Sequence, residues 1–195
     1  MTKVWLAILG LPIAACASVE PPAPVHREAA AADFETPAAR GRVIGGEKVA
    51  RLITWPEAVD PALVAALPEA LQTAVAAAPL PVLLPTAMPL PRAELMHGEH
   101  WWALWAQHDG ITLTINASGI AKVYPHLRGA AMPHTVRGVQ GLVTQNEAVW
   151  SASWVEHGVA YQLGIECTDP KMPACADDVH VREVVESLAF AGGRR

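Results

Sequence analysis

The chain carries little positive charge, and no stretch of it forms a basic stripe. Its 14 Lys and Arg residues are outnumbered by 19 Asp and Glu residues, which gives a formal net charge of −5. Nucleic-acid-binding surfaces need clustered basic residues, so a nucleic acid is not expected as a partner. Beyond its first residues the chain also lacks an apolar run long enough to cross a bilayer, and it has no repeat of solenoid or propeller type.

The chain also lacks the motifs of nucleophilic hydrolases. GRVIGGE at 41–47 resembles the activation junction of the trypsin-like family, and Thr-Trp-Pro at 54–56 extends the likeness. That family carries its catalytic His in an Ala-Ala-His-Cys-like context and its Ser in Gly-Asp-Ser-Gly-Gly-Pro, and neither string occurs here. The nucleophile-elbow pattern Gly-x-Ser-x-Gly is absent as well. No catalytic residue is therefore predicted.

The most specific pattern is MTKVWLAILGLPIAAC at the start of the chain. One early charge, Lys3, precedes an uncharged apolar run of signal-peptide length. Ile-Ala-Ala-Cys at 13–16 resembles the bacterial lipobox, whose cysteine is lipidated and becomes the first residue of the mature protein. The resemblance implies a signal peptide at 1–15 and lipidation of Cys16 with a diacylglyceryl thioether and an amide-linked, palmitate-type chain. Ordinary secretory cleavage after residues 15–17 is the alternative, and both predict export.

Lipidation of Cys16 implies a stable membrane anchor, because several acyl chains hold a protein where one chain binds only marginally. Ala17 and Ser18 follow Cys16, whereas an Asp after the cysteine would retain the protein in the inner membrane. By resemblance to the sorting rule of enterobacteria, this predicts the periplasmic side of the outer membrane. The inner membrane, and a soluble periplasmic or secreted form, are the alternatives.

Residues 16–41 are rich in Pro and Ala and poor in large apolar side chains. Such a stretch cannot bury enough surface to offset its ordering entropy, so it is predicted to be a tether. Residues 42–195 are then long enough for a single domain. Residues 43–53, which include Gly45 and Gly46, are expected to be a flexible entry or a short Gly-Gly hairpin.

The domain is expected to begin with a helical lead-in at 57–78. Asp60 before Pro61 is typical of a helix N-cap followed by Pro in the first turn. Pro68 interrupts the helical spacing of apolar residues, which predicts two short helices at 61–67 and 69–77. Residues 82–84, bounded by prolines, are predicted to form an edge strand.

From 97 to 166 the hydrophobic period changes to two, which predicts an antiparallel meander of five to six strands. Asp109-Gly110 and Glu156-His157-Gly158 are its clearest turns. A C-terminal helix is predicted at 177–190, with one apolar stripe that packs on one face of the sheet. The fold class is α+β.

The last third of the chain combines a Trp-bearing strand, a turn with Gly, a strand that begins Tyr-x-Leu and a final helix that ends in Ser-Leu. These positions are Trp154, Gly158, Tyr161, Leu163, Ser187 and Leu188. The combination resembles bacterial extracytoplasmic modules of unknown function, some of them related to lipoprotein-sorting and anti-sigma-factor proteins. The resemblance implies a half-open sheet that cradles an apolar ligand, and it carries over no catalytic residue.

Cys167 and Cys175 are the cysteines that remain after Cys16. An even pair in an exported chain predicts a disulfide, and the intervening Pro-rich segment can double back. A redox pair or a metal site is the alternative, although the spacing is not that of thioredoxin-like motifs or zinc knuckles.

Histidines supply the candidates for a metal site. His97 and His100 flank Glu99, and His108 lies across the predicted hairpin. Histidine is a common metal ligand, but residues three apart do not share a strand face. Polar surface histidines are the favoured interpretation, and neither a metal nor another cofactor is predicted.

Tryptophan is concentrated in the predicted sheet, whereas the whole chain has two Phe. Core packing is the favoured role, and a platform on which a sugar or peptide stacks is the alternative. Alternation puts Trp101 and Trp105 on one face and Trp102 on the other, and Trp102 is expected to be the exposed ring. The candidate stacking residues are Trp101, Trp102, Trp105, Trp150 and Trp154.

These patterns predict a lipid-anchored envelope protein whose sheet binds a partner protein, a glycan or an apolar ligand. The alternative is a small periplasmic enzyme, hydrolase-like in type, with a site the sequence does not reveal. A Trp-lined sheet face favours the first, and a pocket joining a Ser or carboxylate to a His favours the second. Arg128, Arg137 and Glu147 are expected to be solvated rather than catalytic.

Overall fold

The computed structural model describes residues 46–124 and 131–194. The predicted signal peptide, the predicted lipidation site Cys16 and the predicted tether lie outside these residues, as do Arg128 and most of the protease-like junction. The described residues belong to the unit that spans Val43–Arg195.

The described chain is rich in β-strands and contains four short helices. In chain order its elements are β1 (Glu47–Ala50), α1 (Pro61–Ala65), α2 (Glu69–Ala77), β2 (Val82–Pro85), β3 (Glu94–His97), β4 (Trp101–His108), β5 (Ile111–Ser118), β6 (Ile120–Val123), β7 (His134–Val136), β8 (Val139–Asn146), β9 (Val149–Glu156), β10 (Val159–Cys167), α3 (Pro173–Ala176), α4 (Val179–Glu186) and β11 (Leu188–Gly192).

The main sheet is antiparallel, as predicted, but it is larger than the five to six strands expected. Its seven strands lie in the order β3-β4-β5-β10-β9-β8-β7, so two meanders meet where β5 pairs with β10. The edge strands β3 and β7 have only four and three residues, too few to show an alternating pattern. β6, which was expected in the meander, pairs instead with β1 in a separate two-stranded sheet.

Tight turns with left-handed backbone join the strands of three hairpins. Both predicted turns are present, at 109–110 with φ of 46° and 77° and at 157–158 with φ of 53° and 78°. A third turn at 137–138 has the same pattern, with φ of 51° and 79°. Two successive residues at positive φ match the right-handed twist of the flanking strands, and Gly in the second position adopts that φ without steric cost.

The inner face of the main sheet forms the core, and α4 packs against its strands β9 and β10. The apolar stripe of α4, Val181, Val184 and Val185, is buried. This confirms that a C-terminal helix covers one face of the sheet. The largest fully buried side chains of the strands are Trp102, Trp154, Tyr161, Leu83, Leu84, Leu104, Leu113, Ile115, Leu163 and Ile165.

The C-terminal helix is shorter than the predicted 177–190. It ends at Glu186, and Leu188 begins β11, which pairs with the buried strand β2. Leu188 continues the helical spacing of apolar residues, so periodicity alone does not mark the helix end. β2 determines it, because Thr86 at its end donates from its backbone N–H and its hydroxyl to the carbonyl of Ser187.

The two short helices before the sheet are confirmed. Asp60 caps α1, since its Oδ1 accepts from the N–H groups of Ala62 and Leu63 at 2.9 and 3.1 Å. Pro68 precedes α2 and separates the two helices.

The segment after Gly46 is neither a flexible entry nor a hairpin of its own. Glu47–Ala50 forms β1 and pairs with Ile120–Val123 of β6. Arg51 continues this pairing, because its N–H donates to the carbonyl of Gly119 at 2.8 Å. The backbone of Arg51 is therefore held beside the end of β5, next to Ser118.

Candidate functional site

The outer face of the main sheet, the one that carries Trp101, Trp105, Asn116 and Gln162, is the candidate binding surface. Trp101 and Trp105 are 45% and 41% exposed, which is high for the largest apolar side chain. They lie four residues apart on β4, about 13 Å along a strand. The two rings therefore stand on one side of the sheet at a separation comparable to a short oligomeric ligand.

Neutral hydroxyl groups lie beside both rings. The strand register places Ser118 directly opposite Trp101 and Thr114 directly opposite Trp105. Directly paired residues of antiparallel strands share a face, with Cβ atoms about 5 Å apart. The hydroxyl of Ser118 donates to the carbonyl of Ile120 at 3.1 Å and accepts from the N–H of Ile120 at 3.2 Å, so only acceptor capacity remains for a ligand beside Trp101. The hydroxyl of Thr114 is a group that can both donate and accept a hydrogen bond.

Between the two tryptophans, a row of directly paired residues crosses the strands on the same face, and it carries two side-chain amides. Asn116 faces Gln162 across β5 and β10, and Gln162 faces Ser153 across β10 and β9. Asn116 and Gln162 are exposed, and each amide offers two donors and one acceptor oxygen. The outer face thus combines flat aromatic rings with uncharged polar groups that can pair with hydroxyls and amides of a ligand.

A cleft of about 530 Å³ lies at the end of the outer face where β4 begins. Its volume lies within the range of small-molecule sites. The lining includes Arg51, Trp101, Asn116, Ser118, Met132 and Gln162. Among the described residues that line this cleft there are two serines, but no His and no carboxylate.

Arg51 is the only charged residue among those that line this cleft. Its Nε is buried and has no hydrogen-bond partner in the described part of the chain. It also forms no ion pair with any Asp or Glu that the structure describes. Within residues 46–124 and 131–194, this cation therefore has no counter-ion.

Trp102 and Trp154 belong to the core. Trp102 is 0% exposed, so the expectation that it is the exposed ring was wrong, because position 102 falls on the inner face of β4. Its Nε1 and the hydroxyl of Tyr161 both donate to the carbonyl of Pro81, at 3.2 and 2.9 Å. Trp154 stacks on Tyr161 with ring centroids 5.4 Å apart. Burial, and secondarily the charge of Glu156, raises the pKa of Tyr161.

Cys167 and Cys175 form the predicted disulfide, with their Cα atoms 6.2 Å apart. The bridge joins the end of β10 to α3. Trp150 is partly buried beside it and donates from Nε1 to the carbonyl of Cys175 at 3.0 Å. Trp150 therefore supports this loop from the inner face and does not lie with Trp101 and Trp105.

The three candidate histidines are not brought together. His97 ends β3 and His100 precedes β4, whereas His108 ends β4, about 20 Å along the strand. His100 lies 3.5 Å from Glu99, and His108 lies 3.1 Å from Asp109. Within residues 46–124 and 131–194, no group of three or more His, Cys, Asp or Glu is arranged to hold a metal ion.

A second cleft of about 540 Å³ is lined by α1, the linker between α1 and α2, and the chain from the last residue of β2 onward. Its lining is almost wholly apolar, with Thr86 as the one hydroxyl-bearing residue among those described. It offers volume for an apolar ligand but few polar groups that would orient one.

Arg137 is a residue whose role sequence reasoning missed. It was expected to be solvated, yet it forms the most buried ion pair of the described chain, with Nε 2.8 Å from Oε2 of Glu156. The guanidinium also donates to the carbonyl of Leu188 and lies 5.7 Å from the ring centroid of Phe190. The one feature of the sequence that could have indicated a structural role for Arg137 is its position before Gly138 in a turn.

Glu147 is exposed, as expected.

Comparison of the chain with models of known protein families, with curated protein sequences and with solved structures finds no match. In the described segments, none of the helices combines the length and apolar character needed to cross a membrane.

Proposed function

We propose that this protein is a lipid-anchored component of the bacterial envelope that binds a glycan on the outer face of its sheet. The observation that carries the proposal is the pair of exposed rings, Trp101 and Trp105, with a row of neutral amides between them. Binding, rather than catalysis, is supported by the make-up of the cleft beside Trp101, whose described lining joins no Ser or carboxylate to a His.

A glycan fits this surface better than the other partners considered. A pyranose ring has an apolar C–H face that packs on the electron-rich face of an indole, and its hydroxyls need donors and acceptors around that contact. Asn116 and Gln162 supply both. A purely apolar ligand would leave these amides desolvated without partners, which is costly.

The anchoring part of the proposal depends on Cys16, whose lipobox context resembles that of bacterial lipoproteins. The test is incorporation of a clickable palmitate analogue into the protein expressed in a bacterial host, compared with the variant Cys16→Ala. We expect label on the wild-type chain and none on the variant. If the wild-type chain is exported but carries no label, the anchoring proposal is wrong and the protein is a soluble exported one.

The binding part can be tested by co-sedimentation of the lipidated chain, in detergent, with purified insoluble cell-wall peptidoglycan. We expect Trp101→Ala with Trp105→Ala to lower the association constant, obtained from the bound fraction over a series of peptidoglycan concentrations, by about tenfold, which corresponds to loss of two aromatic contacts of the usual size. Leu52→Ala is the matched control, because Leu52 is an exposed apolar residue that does not line the cleft. Equal sedimentation of all three proteins would show that the outer face is not the binding surface.

A further inference from the structure

The cleft at the end of the outer face contains a cation beside an exposed aromatic ring, and none of the described carboxylates pairs with this cation. Arg51 and Trp101 both line it, and the amides of Asn116 and Gln162 lie on the same lining. The backbone of Arg51 is held in place, because its N–H donates to the carbonyl of Gly119.

A guanidinium in this position has unmet hydrogen-bonding capacity. Its Nε is removed from water yet has no partner among the described residues. Leaving a buried donor unsatisfied is unfavourable, and the cost is larger for a charged group. An anion in the cleft would neutralise this charge, and a planar carboxylate matches the fork of Arg in a bidentate manner.

We propose that this cleft binds a saccharide that carries a carboxylate, with the sugar ring on Trp101, its hydroxyls on Asn116 and Gln162, and the carboxylate on Arg51. This proposal rests on the proposed glycan-binding function and adds the charge of the ligand. Arg51 carries the one charge among the described residues that line the cleft. A sugar with a single negative group therefore has the complementary charge.

The experiment compares two pairs of probes that differ by a carboxylate. N-acetylmuramic acid is paired with N-acetylglucosamine, and galacturonic acid is paired with galactose. Dissociation constants are measured by ligand-observed NMR titration of the full lipidated chain in detergent micelles. The probes are titrated into the wild-type chain and into Arg51→Gln, Arg51→Lys, Trp101→Ala and the control Arg92→Gln. Arg92 is exposed, precedes β3 and does not line this cleft.

We expect the wild-type chain to bind at least one sugar acid about tenfold more tightly than its neutral partner, the size of one charge-assisted pair. Arg51→Gln should abolish this preference, Arg51→Lys should keep part of it, and Arg92→Gln should keep all of it. Trp101→Ala should weaken binding of acid and neutral sugar alike. A thermal melt of each variant shows whether it is folded.

Three results would overturn the proposal. Equal affinity of the wild-type chain for acid and neutral sugars would leave the glycan-binding function intact and remove the role of the carboxylate. If Arg51→Gln still binds the sugar acid more tightly than the neutral sugar, a group other than Arg51 binds the carboxylate. Binding of D-lactate or inorganic phosphate as tightly as of the sugar acids would identify a plain anion site.

Two further results concern the wider function. If no sugar binds and peptidoglycan co-sedimentation also fails, both proposals fall together. Self-association of the unliganded chain, abolished by Trp105→Ala in sedimentation velocity, would assign the outer face to a second copy of this chain.

Discussion

The guanidinium of Arg137 pairs with the carboxylate of Glu156 at 2.8 Å, and both side chains are largely buried, at 12% and 16% exposed. The pair joins the turn between β7 and β8 to the end of β9. Arg137 also donates to the carbonyl of Leu188, and its N–H donates to Glu186 of α4. One arginine therefore connects the edge of the sheet to the C-terminal segment that covers its inner face.

Glu156→Gln should destabilise the fold strongly. The variant leaves the guanidinium of Arg137 partly buried without its counter-ion, and we expect the free energy of unfolding to fall by about 3 kcal/mol. Urea unfolding followed by circular dichroism measures the change. Asp178→Asn is the matched control, because Asp178 and Arg182 pair at a similar distance but are more than a third exposed. That control should lose less than about 1 kcal/mol, and equal losses would contradict the argument.

Stability at alkaline pH should depend on Tyr161. Burial raises its pKa in the folded state above the ordinary value of about 10, so the folded protein keeps the hydroxyl proton that the unfolded chain releases. The stabilising contribution is complete below about pH 10 and is lost as pH rises above it. We expect the wild-type free energy of unfolding to decline above that pH by up to about 1.4 kcal/mol per pH unit more steeply than in Tyr161→Phe. Parallel pH profiles of the two proteins would exclude this role.

The glycines of two hairpin turns should differ in their tolerance of alanine. Gly138 and Gly158 have nearly equal φ, 79° and 78°, but an added Cβ at Gly138 would meet nothing within 4 Å, whereas at Gly158 it would overlap the backbone carbonyl of Leu52. Gly138→Ala should therefore cost about 1 kcal/mol from backbone strain alone. Gly158→Ala should cost at least twice as much, because the backbone near Leu52 must move. Chemical denaturation of both variants tests this, and equal costs would mean that the Leu52 segment yields easily.

Removal of the disulfide should lower stability by a moderate amount. Replacing Cys167 and Cys175 by Ser opens a short loop, which should reduce the free energy of unfolding by about 2 to 3 kcal/mol in the chain-entropy model. The measurement is the urea midpoint with and without reductant. Reductant should shift the wild-type midpoint toward that of the double variant and leave the variant unchanged. A wild-type chain insensitive to reductant under unfolding conditions would indicate that the bridge contributes little.

Features encoded by neighbouring residues could be predicted from the sequence. The turns at 109–110 and 157–158, the N-cap Asp60 and the break at Pro68 each follow from the conformational preferences of a few adjacent residues. The disulfide is also local, since Cys167 and Cys175 are eight positions apart. In each case the chain offers few competing arrangements.

Features that depend on distant residues could not be predicted. The helix end at Glu186 is set by β2, roughly a hundred positions earlier, through Thr86 and Ser187. Alternation correctly separated Trp101 and Trp105 from Trp102, but it does not say which face is buried, so the exposed side was assigned wrongly. Arg51 joined the candidate site only because β1 pairs with β6, and no pattern around Arg51 indicates this.

The pairing of β5 with β10 has a consequence for how the chain reaches its folded state. The meanders β3-β4-β5 and β7-β8-β9-β10 are built from neighbours in sequence, whereas Ser118 must find Ala160 across the whole second meander. Closing so long a loop is slow relative to forming hairpins, and we expect this docking step to limit the refolding rate. Stopped-flow refolding of two variants would test this expectation. Ile115→Val in β5 should refold more slowly than the wild-type chain, and Val143→Ala in β8 should not. The exposed tryptophans of β4 would then become fully positioned only when the two halves of the sheet meet.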